Sequence, residues 1–219
     1  MEKRPRISHI GSVGIIYPRI NPNRIFLERK TGDFPIKLFR HQLNFIGGNW
    51  IGESARTDSG PLNTFRRELQ EELSLEKTAV STAELAALGH APQEIFSMTP
   101  ALNRPVSHRH RVMLKEIKRI ICANCVPFGT FLNTVSKAAL DAADPDNKRE
   151  GFIFLSAYWC MPLDKNRWAT LHRLQTNYGN LSNESITLIT SLDEMIESGT
   201  KTAFGNDRVL PEVFPSLRL

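Results

Sequence analysis

Two adjacent stretches of the sequence, a glycine-containing bend and an acidic segment, dominate its organisation. Residues 46–53 read IGGNWIGE, and residues 62–75 read LNTFRRELQEELSL. In the second stretch the apolar side chains recur every three or four positions, at Leu62, Phe65, Leu69 and Leu73. At about 100° per residue these side chains fall on one stripe, so the spacing predicts a helix that packs on a core through that stripe.

Three glutamates lie on one flank of this predicted helix. Glu68 and Glu72 are four residues apart and Glu71 is three from Glu68, so all three are neighbours on the helix surface. Like charges at this spacing destabilise an isolated helix by about 0.2–0.5 kcal/mol per pair. Because carboxylate oxygens are preferred ligands of Mg²⁺ and Mn²⁺, the pattern favours a divalent-cation site. The spacing alone also allows a solvated acidic helix face.

The glycine pair Gly47-Gly48 precedes this helix. It follows the apolar run 43–46, which we predict to be a strand. Two successive glycines after a strand permit a tight turn and a close approach of the backbone to a ligand. The bend and the acidic helix together are therefore a better candidate site than the glutamates alone.

These residues resemble the Nudix box, the signature of the Nudix hydrolases. That family has a glycine, then a glutamate after five residues, then, after seven more, Arg-Glu-apolar-any-Glu-Glu-any-Gly-apolar. Residues 67–75 match the second half except at Ser74, which stands where the family has glycine. Gly47 and Glu53 match the first half. Thirteen residues separate Glu53 from Arg67, so the box carries an insertion relative to the family pattern.

The resemblance implies an activity and a set of site residues. Nudix hydrolases use Mg²⁺ or Mn²⁺ and water to cleave a diphosphate bond in a nucleoside diphosphate linked to another group. Glu71 would be a further metal ligand or a proton acceptor, and Arg67 would pair with Glu53 to hold the box together. The metal ligands implied are Glu68, Glu72, Glu71 and the backbone carbonyl of the glycine pair at Gly48.

Residues outside the box have less definite roles. The basic run 104–111 either supplies Arg109 and Arg111 to bind substrate phosphate or is the solvated edge of a strand. In many family members a general base lies outside the box, and here the candidates are Glu150 and Glu184.

Composition and the resemblance together predict one domain over residues 1–219. The implied fold is α+β, a Nudix-like α/β/α sandwich around a mixed β-sheet, with a helical insertion at about 119–149. A hydrophobic content of 41% and a charged content of 23% are typical of globular proteins. Because the sequence shows neither a run of eighteen apolar residues nor a secretory signal, we expect a cytoplasmic protein without a membrane partner.

The expected partner is a nucleotide-type small molecule. A net charge of +5 favours an anionic ligand, but no RNA-binding motif is recognisable and aromatic residues make up only 8% of the chain. A nucleic-acid partner is therefore not expected, and a homodimer is left open. The pair Cys122 and Cys125 has zinc-like spacing without a second such pair, which favours structural thiols. The alternative function is a nucleotide-sensing module of Nudix fold that does not cleave its ligand.

The remaining elements are predicted from periodicity and turn signals. Besides 43–46, we expect strands at 7–18, 24–29, 94–98, 151–161 and 184–189, with the first two forming an antiparallel pair. Besides 62–75, we expect helices at 128–143 and 168–174 and one that begins after Ser191, where the sequence has a capping box.

Overall fold

A computed structural model describes residues 7–51, 58–73, 107–182 and 185–214 of the chain. Within these ranges seven strands belong to one sheet. They are β1 (Ile7–Pro18), β2 (Arg24–Arg29), β3 (Leu43–Asn44), β4 (Ile46–Asn49), β5 (Val126–Val135), β6 (Phe152–Leu163) and β7 (Ile186–Ser191).

Six α-helices and two short 3₁₀ segments accompany the strands in the described residues. The helices are α1 (Pro61–Glu72), α2 (His108–Ala123), α3 (Lys137–Ala143), α4 (Lys165–Tyr178), α5 (Leu192–Glu197) and α6 (Leu210–Val213), and the 3₁₀ segments are Lys37–Phe39 and Ala203–Val209. Helices α2 to α5 each begin after a side chain that accepts a hydrogen bond from a backbone N–H of the first turn. These capping residues are Ser107, Ser136, Asp164 and Ser191.

The long strand β1 organises the sheet. It runs parallel to β6 on one side, and on the other side it is antiparallel to β2 and β4. Strand β2 also pairs with β3 and β7, and β5 pairs antiparallel with β6. The sheet is therefore mixed, and the predicted antiparallel pairing of 7–18 with 24–29 is confirmed.

Both faces of the sheet are buried. Successive side chains of a strand point to opposite faces, and accordingly Ile16 packs in one core cluster whereas Ile15 packs in the other. The first cluster lies under α1, α2 and α4, and the second lies under α5, α6 and the segment Ala203–Val209. The predicted α+β sandwich with a mixed sheet and helices on both faces is confirmed.

The helix predicted at 128–143 is wrong over its first half. Residues Val126–Val135 form β5, and only Lys137–Ala143 is helical, after the cap at Ser136. Leu132 and Val135 are three residues apart, which matches helical spacing, whereas Thr130 and Thr134 favour a strand. The stretch 119–149 is therefore not a helical insertion throughout, because its middle extends the sheet.

The strand-edge interpretation of the basic run is also wrong. His108–Ala123 is a helix, with Leu114, Ile117 and Ile121 buried on one face. Two further strands differ in detail, because residues 43–46 divide into β3 and β4 and the strand expected at 184–189 is β7 at Ile186–Ser191. The strand predicted at 94–98 lies outside the described residues.

Candidate active site

The glycine pair sits where β4 runs beside β1, and its two glycines have different roles. Gly47 has a φ of 151°, and a Cβ there would lie 2.2 Å from the backbone oxygen of Ser12. Only glycine fits that contact between strands. A Cβ on Gly48 would instead lie 2.4 Å from the carboxyl carbon of Glu68. The second glycine therefore makes room for the first glutamate of the acidic helix.

Helix α1 presents its acidic side chains next to this bend while its other face enters the core. Phe65 and Leu69 are fully buried, which orients the helix on the sheet. Arg67 contacts both Glu68, at 2.7 Å, and Glu71, at 2.8 Å, and it donates to the backbone oxygen of Asn49 at 2.7 Å. Burial raises the pKa of Glu68, although the neighbouring Arg67 works against the rise. The Arg67 guanidinium therefore connects two carboxylates of α1 to strand β4, which contains the glycine pair.

Asp58 holds Arg67 from the opposite side. Its carboxylate accepts from Arg67 Nε at 3.1 Å and Nη2 at 3.2 Å, and from the Ile51 N–H at 3.1 Å. The Asp58 side chain is completely buried. Burial alone would raise its pKa, but the hydrogen bonds from Arg67 and Ile51 outweigh this effect and hold the pKa below its ordinary value. Asp58 thus makes the contact that the resemblance implied for Glu53, which lies outside the described residues.

Glu72 points to a buried group of polar side chains. Its Oε2 accepts from Ser182 Oγ at 2.9 Å and lies 3.0 Å from Ser185 Oγ, which is also 2.9 Å from Glu28 Oε2. The Ser185 hydroxyl therefore bridges two buried carboxyl groups. Burial raises the pKa of Glu72 to about 8, and the neighbouring Glu28 carboxylate adds to the rise.

Lys30 supplies the nearest positive charge. Its Nζ forms an ion pair with Glu28 Oε1, and its side chain is 10% exposed. Burial by itself would lower the pKa of Lys30, but the carboxylates of Glu28 and Glu72 outweigh burial and raise it. The lysine therefore remains a charged ammonium at the wall of the site.

Further buried amides continue this polar group toward the end of the described chain. Asn44 Nδ2 donates to Glu28 Oε1 at 2.7 Å, and Asn206 Nδ2 donates to Asn44 Oδ1 at 2.6 Å. The Tyr158 hydroxyl donates in turn to Asn206 Oδ1. We call this connected set the polar network; its members are Glu72, Ser182, Ser185, Glu28, Lys30, Asn44, Asn206 and Tyr158.

One cleft of about 380 Å³ is lined by both the acidic helix face and aromatic residues. Glu68, Glu71, Glu72 and both glycines line it, together with Lys30, Asn44 and Asn206. Three phenylalanines, which we call the aromatic wall, also line it: Phe34, Phe154 and Phe204. A cleft of this size with a few converging polar groups is typical of small-molecule sites.

The sequence-predicted residues outside the box are not brought to this cleft. Arg109 and Arg111 are exposed on α2, and neither lines the cleft. Glu150 is exposed and is also absent from the lining, whereas Glu184 lies outside the described residues. Cys122 and Cys125 pack against the first core cluster, and burial raises the pKa of the Cys125 thiol to about 12.

Sequence reasoning missed Asp58, Glu28, Lys30 and the two bridging serines. Glu28 and Lys30 carried one available signal, because they are charged residues that closely follow the apolar run Ile25-Phe26-Leu27. The serines carried none, since they lie more than a hundred residues from Glu72 in the chain.

Two features are absent from the described residues. No group of three or more His, Cys, Asp or Glu side chains in ranges 7–51, 58–73, 107–182 and 185–214 is arranged so that it could hold a metal ion. Over the same ranges, no helix has the length and apolar character needed to cross a membrane.

Comparison with known proteins identifies similar solved structures. The E. coli dihydroneopterin triphosphate pyrophosphohydrolase is 9% identical and has a TM-score of 0.44, covering 96% of this chain and 99% of that chain. A Nudix hydrolase from Alicyclobacillus acidocaldarius is 11% identical with a TM-score of 0.44, covering 90% of this chain and 86% of that chain. No protein-family model and no curated protein matches the sequence. At these identities the chemistry rests on this chain's own residues.

Proposed function

We propose that this protein is a hydrolase that depends on Mg²⁺ or Mn²⁺ and cleaves a diphosphate bond in a nucleoside diphosphate linked to another group. The observation that carries the proposal is that Glu68, Glu71 and Glu72 line a single cleft beside the glycine bend. The resemblance of residues 47–75 to the Nudix box supports the same reaction.

The charges around the cleft suit a divalent cation. Five carboxyl groups lie in or beside the cleft with two cationic side chains, namely Glu28, Asp58, Glu68, Glu71 and Glu72 with Lys30 and Arg67. Mg²⁺ and Mn²⁺ prefer carboxylate oxygens, and Mg²⁺ retains several waters, so few protein ligands suffice. Glu68, Glu71 and Glu72 would hold the ion. Because Arg67 contacts Glu68 and Glu71, binding the ion requires these carboxylates to exchange an Arg67 contact for it.

Each part of the site then has a chemical task. A bound divalent cation screens the negative charge of a diphosphate and lowers the pKa of a coordinated water. The protein itself holds the carboxylates in place through Arg67, which Asp58 fixes. Lys30 places a buried ammonium on the cleft wall, where it attracts the phosphate chain. The glycine bend removes the side chains that would fill the space next to Glu68.

The test is divalent-dependent turnover by the purified chain. We expect cleavage of at least one member of a panel of nucleotide sugars, ADP-ribose, dinucleoside polyphosphates and nucleoside triphosphates when Mg²⁺ or Mn²⁺ is added. Glu68→Gln and Glu72→Gln should each lower turnover by a factor on the order of 100 or more while circular dichroism shows an intact fold. The matched control is Glu116→Gln, an exposed helical glutamate paired with Arg119. Unchanged turnover in either site variant would contradict the assignment.

A second function is favoured by one observation, the contacts between Arg67 and the Glu68 and Glu71 carboxylates. In that arrangement the described residues do not form a metal cluster, which suits a nucleotide-binding module that does not cleave its ligand. Calorimetric binding of a panel member without any phosphate or nucleotide product, in either metal, would support the binding module over the hydrolase.

A further inference from the structure

We propose that the aromatic wall binds a planar heteroaromatic ring of the substrate, so that a ring-bearing nucleotide is held with its phosphates at the acidic side of the cleft. This inference rests on the proposed function, because it identifies the part of the substrate that does not react. It is carried by the composition of the cleft, where Phe34, Phe154 and Phe204 line the same cavity as three glutamates.

Phe204 packs against each of the other two rings of the wall. The centroids of Phe154 and Phe204 are 4.8 Å apart with the planes at 78°, and those of Phe34 and Phe204 are 6.3 Å apart at 80°. Phe39 lies behind Phe204 at 4.3 Å and is buried. Phe204 is therefore supported from the core, while both it and Phe34 retain exposed surface. Rigid, partly exposed rings are the kind of surface on which nucleobases stack.

The backbone of Phe204 is the second observation. Its φ is 60°, in the left-handed region that bulky residues rarely adopt, and Gly205 continues the bend with a φ of 70°. A strained non-glycine residue persists where the surrounding structure holds it, and such residues concentrate at ligand sites. Phe204, at this bend, is one of the residues that line the cleft.

Polar groups beside the wall are placed to contact a ring edge. Asn44 and Asn206 both line the cleft and are buried. Among the described residues, each side-chain NH₂ donates one hydrogen bond, to Glu28 and to Asn44 respectively, so each retains a second hydrogen. Lys30 Nζ lies 5.3 Å from the Phe34 centroid, between the wall and the carboxylates. A ring with nitrogen or oxygen at its edge fits this end better than an aliphatic group does.

The experiment compares ligands that differ only by the nucleoside. Isothermal titration calorimetry with Mn²⁺ would measure binding of the adenosine, guanosine and uridine α,β-methylene diphosphates, which resist cleavage, against methylenediphosphonate. We expect at least one nucleoside ligand to bind the wild type about tenfold or more tightly than methylenediphosphonate. Phe34→Leu and Phe204→Leu keep apolar volume but remove the flat ring, so each should remove most of that advantage and leave methylenediphosphonate binding unchanged.

Phe128→Leu is the matched control, because Phe128 is half-buried on β5 away from the cleft. The proposal is overturned if all three nucleoside ligands bind no better than methylenediphosphonate. It is also overturned if both wall variants bind them as tightly as wild type, or lose affinity equally for both kinds of ligand. Wall-dependent binding without hydrolysis would refute the hydrolase and retain the ring site. If the wall variants hydrolyse the substrate as well as wild type, the ring site is refuted and the hydrolase is retained.

Discussion

At the scale of single residues, Asp58 and Arg67 form an ion pair with little exposed surface. The Asp58 side chain has no exposed surface and that of Arg67 is 14% exposed. The family pattern directs attention to Glu53, but Asp58 lies nearer to Arg67 in the chain, with eight intervening residues. An aspartate at a shifted position inside an insertion has no signature in the sequence. Its role appears only when the chain from Trp50 and Ile51 folds back onto α1.

We expect Asp58→Asn to lower the free energy of unfolding by about 2 kcal/mol at neutral pH, because the largely buried Arg67 guanidinium would lose its one fully buried carboxylate partner and keep only Glu68 and Glu71. Turnover should fall as well, since Arg67 positions Glu68 and Glu71. Urea unfolding and steady-state kinetics measure the two effects. Asp144→Asn is the matched control, because Asp144 pairs with Lys37 on the surface and should change neither quantity.

The difference in stability between wild type and Asp58→Asn should change with pH in a definite direction. The folded-state pKa of Asp58 lies below its ordinary value of 3.8. The ionised pair therefore stabilises the fold fully above that value and is lost as the pH falls through the lowered pKa. The difference in free energy of unfolding between wild type and Asp58→Asn should be constant near neutrality and should become smaller below pH 3.8. A difference in free energy of unfolding that becomes larger at acidic pH would show that the carboxylate does not act through its charge.

At the scale of elements, the placement of α1 on the sheet depends on one glycine in β1. A Cβ on Gly14 would lie 2.2 Å from the Met161 methyl group and 2.4 Å from the Phe65 ring. The absence of a side chain at position 14 thus lets Phe65 seat the helix close to the strand. Since Glu68 and Glu72 project from the same helix, the distance between helix and sheet also sets the position of the acidic side chains.

Gly14→Ala should therefore cost about 1–3 kcal/mol of stability through overpacking and should also impair turnover. Adding Phe65→Leu to it should recover part of the stability, because the shorter side chain vacates the space that the new methyl group needs. The double-mutant cycle, measured by thermal unfolding, isolates that coupling. Strictly additive effects of the two substitutions would mean that the helix does not rest on this contact.

Local patterns predicted the elements whose buried side chains follow one regular spacing or one apolar run. The apolar run of β1 and the apolar stripe of α1 could be predicted because each buries a regular set of side chains. Strand β5 could not be predicted, since Leu132 and Val135 match a helical spacing that continues into α3. For α2, the cap at Ser107 was the missed signal.

The three box glutamates were predictable because they are close in sequence, whereas Glu28 and Ser185 meet Glu72 only through the pairing of β2 with β7.

At the scale of the whole molecule, the polar network joins distant parts of the chain beneath the cleft. It passes from Tyr158 on β6 through Asn206 near the end of the described chain to Asn44 and Glu28, and then through Ser185 to Glu72 on α1. Buried hydrogen-bonded networks of this kind specify one arrangement, because each member left without a partner carries a desolvation cost. The acidic and aromatic sides of the cleft are thereby built on a common support.

A pair of identical substitutions tests this coupling. Tyr158 and Tyr178 are both 1% exposed, but the Tyr158 hydroxyl donates to Asn206, whereas that of Tyr178 has no hydrogen-bond partner among the described residues. Tyr158→Phe should lower the free energy of unfolding by about 1–3 kcal/mol, because it leaves Asn206 Oδ1 buried without this donor. It should also raise the KM of the cleaved substrate, since Asn206 lines the cleft. Tyr178→Phe should leave stability unchanged or higher and KM unaffected. Equal losses of stability in the two variants, measured by urea unfolding, would mean that the network contributes no more than ordinary core packing.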